Sequence, residues 1–227
     1  VSDFHQSGPV TALPRLVDRP IEELEARIVA LARRFPVALV IPMVPSEMDR
    51  PALARIVDEL AEVTYLDTLV ISLNRASEED YERTAAYFER YPHRKVIVWS
   101  EAPAVREFLS DMSRAGLYVG EPGKGRACWL AIGYILAEER VEYIAFQDAD
   151  VVNFRREMLA RLVLPAVDPT VDFDFVKAYY ARVSDRLHGR VTRLLLSPLL
   201  AAFTRLMGSD PYIRYLSSFR YALSGEF

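Results

Sequence analysis

Val141-Glu142-Tyr143-Ile144-Ala145-Phe146-Gln147-Asp148-Ala149-Asp150 decides the fold. An apolar run rich in aromatic and β-branched residues suits a buried strand. It ends abruptly in two aspartates spaced one apart. Unpaired carboxylates inside such a strand would be costly. They fit its carboxyl end, where open α/β sheets place their ligands. A pair of carboxylates there suits a hard divalent cation such as Mg²⁺ or Mn²⁺, which takes oxygen ligands and bridges to phosphates. Asp-x-Asp is nonetheless a common tripeptide, and a second copy, Asp172-Phe173-Asp174, precedes an apolar run instead of following one. That copy reads as a turn or strand entry.

Upstream, the chain alternates. Ile21 to Phe35 carries Ile21, Leu24, Ile28 and Leu31 at helical spacing, with glutamates early and Arg33-Arg34 late, an order the helix dipole favours. Val37 to Pro42 is a continuous apolar run, as expected of a central parallel strand. A loop from Met43 follows, then a helix from Pro51 to about Ala61, with Asp49 as its candidate cap. Asp67 to Leu73 reads as a second strand, and Ser77 caps a helix through Tyr91. Lys95 to Trp99 reads as a third strand, and Pro103 opens a helix to about Arg114. This order predicts a parallel α/β sheet with right-handed crossovers and helices on both faces.

Gly120-Glu121-Pro122-Gly123-Lys124-Gly125-Arg126 leads into a helix from about Ala127 to Glu139. Glycines, free N–H groups, the positive helix end and a lysine together suit a phosphate. The spacing is not that of a Walker A loop. A plain glycine turn with a solvated lysine fits equally well. After the aspartates, Arg155 to Leu164 reads as a helix ended by Pro165, and Asp174 to Tyr180 as a strand. Arg186, Arg190 and Arg193 cluster near Thr192; they read either as an anion grip or as a solvated basic helix start. Val191 to Met207 reads as a helix bent at Pro198, and Arg220 to Phe227 as a strand and turn.

Composition sets limits. With 227 residues, 51% hydrophobic, the chain has ample core. A net charge of −4 argues against a general nucleic-acid binder. One cysteine, Cys128, permits no internal disulfide, which fits a reducing compartment; it reads as a small core residue. No secretory signal or membrane-length apolar run is present, so a soluble cytoplasmic protein is expected. His5 and His93 read as solvent-exposed, and no zinc-ligand spacing occurs.

Taken jointly, the motifs carry more than their parts. Pro42 with Glu47, Gly123-Lys124-Gly125, Gln147-Asp148-Ala149-Asp150, Gly189-Arg190-Val191-Thr192 and Leu223-Ser224-Gly225-Glu226 follow in this order. The set resembles the retaining GT-A glycosyltransferases that make glucosyl- or mannosyl-3-phosphoglycerate, over about Val37 to Phe227. The Asp-x-Asp and Gly-Lys-Gly elements are shared by wider GT-A groups, including mannosylglycerate synthases; the Gly-Arg-Val-Thr and Leu-x-Gly-Glu pair is more specific. The resemblance implies a Rossmann-like sheet with a C-terminal acceptor-binding part. It implies an N-terminal arm and helix over 1–36, a nucleotide-sugar subdomain over 37–150 and an acceptor subdomain over 151–227.

Residue roles follow from the same resemblance. Pro42, Glu47, Lys124, Asp148, Leu223 and Gly225 are implied to line the nucleotide-sugar site. Gly189, Arg190, Val191 and Thr192 are implied to hold the phosphate of 3-phosphoglycerate. Asp150, assisted by Asp148, is implied to meet Mg²⁺, Mn²⁺ or Co²⁺, and Glu226 to stand beside the donor sugar. The donor is GDP-mannose, UDP-glucose or GDP-glucose, and a homodimer without nucleic-acid or membrane partners is expected. Two departures stand out: Met43-Val44-Pro45-Ser46 replaces the usual Leu-Asn-Glu pattern, and Ile71-Ser72-Leu73-Asn74 replaces an Asp-rich segment. Family members continue past the position of Phe227 with a segment supplying a metal-binding histidine, so a truncated chain is expected. Transfer to unphosphorylated glycerate, sugar-phosphate nucleotidyl transfer and non-catalytic sugar-nucleotide binding are the alternatives.

Overall fold

In a computed structural model the described residues are 19–171, 173–178, 192–208 and 210–218. A first compact unit spans Arg19–Val176, and the chain from Lys177 belongs to a second. The first unit is built on four parallel strands, β1 (Val37–Met43), β2 (Leu66–Leu73), β3 (Lys95–Trp99) and β4 (Tyr143–Phe146), in the order β3-β2-β1-β4. Every residue of β1 is buried, as its unbroken apolar sequence requires of a strand covered on both faces.

Alternate residues feed two cores. Leu39, Ile41 and Met43 of β1 and Leu69, Ile71 and Leu73 of β2 pack with α1 (Ile21–Ala32), α2 (Pro51–Ala61), α3 (Glu78–Phe88) and α6 (Arg156–Val167). Ala38, Val40, Val70 and Val98 pack instead with α4 (Pro103–Arg114) and α5 (Lys124–Glu138). The chain steps from β1 to β3 with its helices on one face. It then returns to the far side of β1 with helices on the other face. Right-handed crossovers demand that change of face when the direction reverses.

The reversal makes β1 and β4 the switch point of the sheet, where α/β folds open a crevice at the carboxyl ends. Val37 pairs with Tyr143 and Val40 with Phe146, so β1 runs three residues beyond the end of β4. Past β1 a 3-10 turn, Pro45–Asp49, leads into α2. The N-cap of α2 is Arg50, not Asp49; Asp49 pairs with Arg83 instead. Ser77 and Asp80 form the expected capping box on α3.

Other expectations shift. Helix α5 begins at Lys124, which places the lysine at the first helical position and not in the loop. Helix α6 runs through Pro165. The proline lies in the final turn, where it removes one hydrogen bond, and burial of Val163 and Val167 outweighs that loss. Asp174 to Ala178, the described part of the expected fifth strand, is not in a strand. In the second unit a π-helical turn, Thr192–Leu196, precedes α7 (Ser197–Met207). The bend expected at Pro198 thus takes the form of a widened turn just before it, a known accommodation of a helical proline. A helix not anticipated from sequence, α8 (Pro211–Ser218), is capped by Asp210, whose Oδ1 accepts the Tyr212 and Ile213 amides at 2.8 and 3.2 Å. No helix among the described residues is long and apolar enough to cross a membrane.

Candidate functional site

The last ladder bond of β4 is donated by the Gln147 amide to the Val40 carbonyl at 3.0 Å. Asp148-Ala149-Asp150 follows at once. Ala149 is buried in the main core while Asp148 is half-buried and Asp150 exposed. The alternation is therefore mechanical: one small apolar anchor holds two carboxylates on either side of it.

Lys124 meets this loop. Its Nζ donates to Asp148 Oδ1 at 2.6 Å, a charge-assisted bond. The lysine is aimed by the glycine turn before it. Gly123 adopts φ 158° and ψ −171°, a conformation nearly confined to glycine, and starts α5 with no side-chain cap. Arg126 closes the turn by donating to the Gly120 carbonyl at 3.4 Å. Among the described residues no side chain caps the first N–H groups of α5, at the same helix end as Lys124. The lysine thus lies against the aspartate loop while its side chain stays more than half exposed.

Pro42 is buried within β1 and pairs with Ser72 of β2. The next carbonyl, of Met43, accepts both the backbone N–H of Asn74 at 3.1 Å and its side-chain amide at 3.3 Å. Glu47 lies in the 3-10 turn with both carboxylate oxygens engaged by Arg50 Nη1, at 3.1 and 3.3 Å. No hydrogen bond or ion pair among the described residues joins Glu47 to the Lys124–Asp148 pair. Of the expected acceptor residues, Thr192 enters only as the first residue of the π-helical turn. Gly189, Arg190, Val191, Leu223, Gly225 and Glu226 lie outside the described residues.

Asp150 has no ion-pair partner among the described residues. Two carboxylates on one anchored loop fit a hard divalent cation that keeps waters and substrate phosphates as its other ligands. No cluster of three or more His, Cys, Asp or Glu able to hold a metal occurs among the described residues. Cys128, one turn beyond Lys124, has its thiol pushed up by burial, against the lowering effect of Lys124. That agrees with a packing role and not a nucleophilic one. His93 is not the solvated residue expected: its Nε2 lies 3.0 Å from the Ala61 carbonyl and its ring meets Tyr91 edge-on.

Sequence reading passed over two residues near the site. Arg55 Nε donates to the Phe154 carbonyl at 3.1 Å, and Glu59 Oε2 accepts the Arg156 amide at 2.9 Å. Both look like ordinary solvated helix charges. Spacing along the chain carries no signal for partners 99 and 97 residues away.

Residues 93–198 match the family model of the mannosylglycerate synthase GT domain. Glucosyl-3-phosphoglycerate synthase from Persephonella marina is 40% identical over all 227 residues, which cover 56% of that protein. The enzyme of the same name from Methanococcoides burtonii is 36% identical over 99% of this chain and 55% of its own length. The chain thus spans just over half the length of the curated relatives it matches. A crystal structure of glucosyl-3-phosphoglycerate synthase from Mycobacterium tuberculosis in complex with Mn²⁺, UDP-glucose and phosphoglyceric acid matches with TM-score 0.53 and 26% identity, over 84% of this chain and 57% of that one. Another from the same organism, with phosphoglyceric acid, matches in fold with TM-score 0.56 and 23% identity, over 89% of this chain and 61% of that one. At 40% identity over its whole length to one such enzyme and 36% to another, the chain belongs to the GT-A glucosyl-3-phosphoglycerate synthase family.

Proposed function

We propose that this chain is the donor-binding part of a hexosyltransferase that moves glucose from UDP-glucose to the 2-hydroxyl of 3-phosphoglycerate. The observation that carries the reading is Lys124 at the start of α5, paired with Asp148 beside Asp150, which has no ion-pair partner among the described residues. A cation, free helix amides and a spare carboxylate are the parts needed to hold a nucleoside diphosphate with its metal. The match to relatives of that activity supports the choice of reaction.

In this reading residues 37–150 hold the donor and residues 151–227 contribute to the acceptor site, with 1–36 as arm and first helix. Lys124 and the α5 amides grip the diphosphate. Asp150 is the principal carboxylate toward Mg²⁺, Mn²⁺ or Co²⁺, and Asp148 holds Lys124 in place. Pro42 and Glu47 line the nucleotide side. Leu223, Gly225 and Glu226 orient the sugar. Gly189, Arg190, Val191 and Thr192 fix the acceptor phosphate, which brings its 2-hydroxyl into attacking geometry. The bound cation supplies charge neutralisation for the departing diphosphate. The bond from the anomeric carbon to the diphosphate breaks, the bond to the acceptor oxygen forms on the same face, and the hydroxyl proton passes to the leaving phosphate. The configuration is retained, and the enzyme acts as a homodimer.

Turnover by the full-length protein tests this, with UDP-glucose or GDP-mannose against 3-phosphoglycerate or glycerate, with and without a chelator. UDP release that requires 3-phosphoglycerate and divalent metal is the expected result. The family-model match favours one rival, mannosyl transfer to glycerate; GDP release with glycerate would establish it. Pyrophosphate release would mark a nucleotidyltransferase and overturn the proposal.

A further inference from the structure

We infer that Arg55 and Glu59 of α2 are positioning residues that fix the aspartate loop and thereby set its affinity for the metal–nucleotide complex. Given the proposed role of Asp148 and Asp150, the question is what keeps their loop from moving. Its front end is tied by the Gln147–Val40 bond, and its middle by the buried Ala149. Beyond Asp150 the chain passes through exposed Val152 to the fully buried Phe154. At the rear of the loop lie the Phe154 carbonyl and the Arg156 amide. Both are satisfied by α2, from side chains one turn apart.

The polarity of each contact is matched to its target. A guanidinium meets the carbonyl. A carboxylate meets an amide in the first turn of α6, where the helix dipole favours negative charge. The N-cap of α6, Arg155, makes no side-chain capping bond, so Glu59 supplies from another helix the cap that the local sequence lacks. Arg55 is exposed, and its bond to Phe154 is its sole partner among the described residues. Neither residue is part of the apolar face of α2, which is Ala52, Leu53, Ile56, Val57 and Leu60. Their contacts serve the loop and not the core.

Helix α2 also begins next to the other wall of the switch point. Arg50, which grips Glu47, is its N-cap. One rigid helix therefore links the turn after β1 to the loop after β4. Loosening its hold on the rear of the loop leaves Asp150 free to sample positions that do not meet the cation, which lowers affinity without touching a ligand. Groups that hydrogen-bond a metal ligand directly set affinity over about ten- to a hundredfold, and a brace on the backbone of the ligand's loop acts at the low end of that range.

The test uses the full-length protein and its Arg55→Met, Glu59→Met and Glu59→Gln variants. Mn²⁺ binding in the presence of UDP is titrated by electron paramagnetic resonance, alongside KM and kcat for UDP-glucose and the thermal midpoint. Arg55→Met and Glu59→Met keep helix propensity but remove the donor or acceptor. Each is expected to weaken Mn²⁺ binding about tenfold. Glu59→Gln retains an acceptor oxygen and is expected to bind within about twofold of the native protein. Equal affinity in all four proteins would overturn the bracing role. So would a loss in Glu59→Gln as large as in Glu59→Met, or losses that follow the thermal midpoint alone. A native protein that binds no Mn²⁺ with UDP would instead refute the donor-site reading, and the bracing role with it.

Discussion

Lys124 and Asp150 differ in one decisive respect: the lysine already has a partner and Asp150 has none among the described residues. Removing Lys124 leaves Asp148 without this cation and, in the proposed function, the diphosphate without its grip. Lys124→Met is expected to weaken UDP binding by about tenfold or more, the loss of one strong charge-assisted contact, measured by calorimetry. Asp150→Asn is expected to abolish the gain in UDP affinity on adding Mn²⁺ while leaving metal-free binding near its native level. Gly123 carries a different demand, that of backbone shape. Nothing lies within 4 Å of the Cβ an alanine would add, so space is not the obstacle. Its φ of 158° is. Gly123→Ala is expected to cost about 1–3 kcal/mol in urea denaturation, or to shift the start of α5 and with it Lys124. These residues were legible in the sequence because their chemistry is local: a glycine beside a lysine, two carboxylates after an apolar run. What the sequence did not reveal is that Lys124 and Asp148 touch, since the contact depends on how α5 enters against β4.

At the scale of elements, the strands and most helices could be read directly. Continuous apolar runs such as Val37 to Pro42 have few alternatives once proline and charge bound them. Helix α3 shows how far a cap can carry a boundary: Ser77 accepts the Asp80 amide at 3.1 Å while Asp80 accepts the Ser77 amide at 2.9 Å. Ser77→Ala is expected to destabilise the protein by about 1 kcal/mol, seen as a lower urea midpoint with unchanged slope. Boundaries failed where tertiary forces overrode local signals. Asp49 looked like a cap but found Arg83; Pro165 looked like a terminator, yet burial of the flanking valines carries α6 past it. Helix α8 was missed because its run is short and its cap, Asp210, sits in a stretch that also reads as a turn.

For the whole molecule, acid stability divides between opposing groups. Burial would raise Asp67, but hydrogen bonds from Arg140 and Thr68 outweigh it and hold the carboxyl below its usual range. Asp168, which accepts from Thr170 and pairs with Arg27, is likewise held low. Such groups stabilise the fold above their unfolded-state value of 3.8, and the contribution is lost as pH falls through their lower folded-state values. Glu25 has the opposite sign. Burial raises it against the pull of Arg156, and its Oε1 has no hydrogen-bond partner. Its neutral form is favoured below 4.5, and that advantage disappears as pH rises through the folded-state value. Glu25→Gln is therefore expected to raise the urea midpoint at pH 7 and leave it little changed at pH 4, whereas Asp67→Asn is expected to lower it at pH 7. The unequal lengths of β1 and β4 have a further consequence. Because β4 stops at Phe146, opposite Val40, while β1 continues to Met43, the sheet ends in a stair and not a level rim. Three residues of strand make the riser about 10 Å high. The tread carries the aspartates, and the riser is the end of β1, still paired with β2 through Met43 and Leu73. A change in the turn beyond Met43 therefore reaches both steps, because α2, whose N-cap Arg50 grips Glu47 in that turn, also holds Phe154 and Arg156 behind the aspartates.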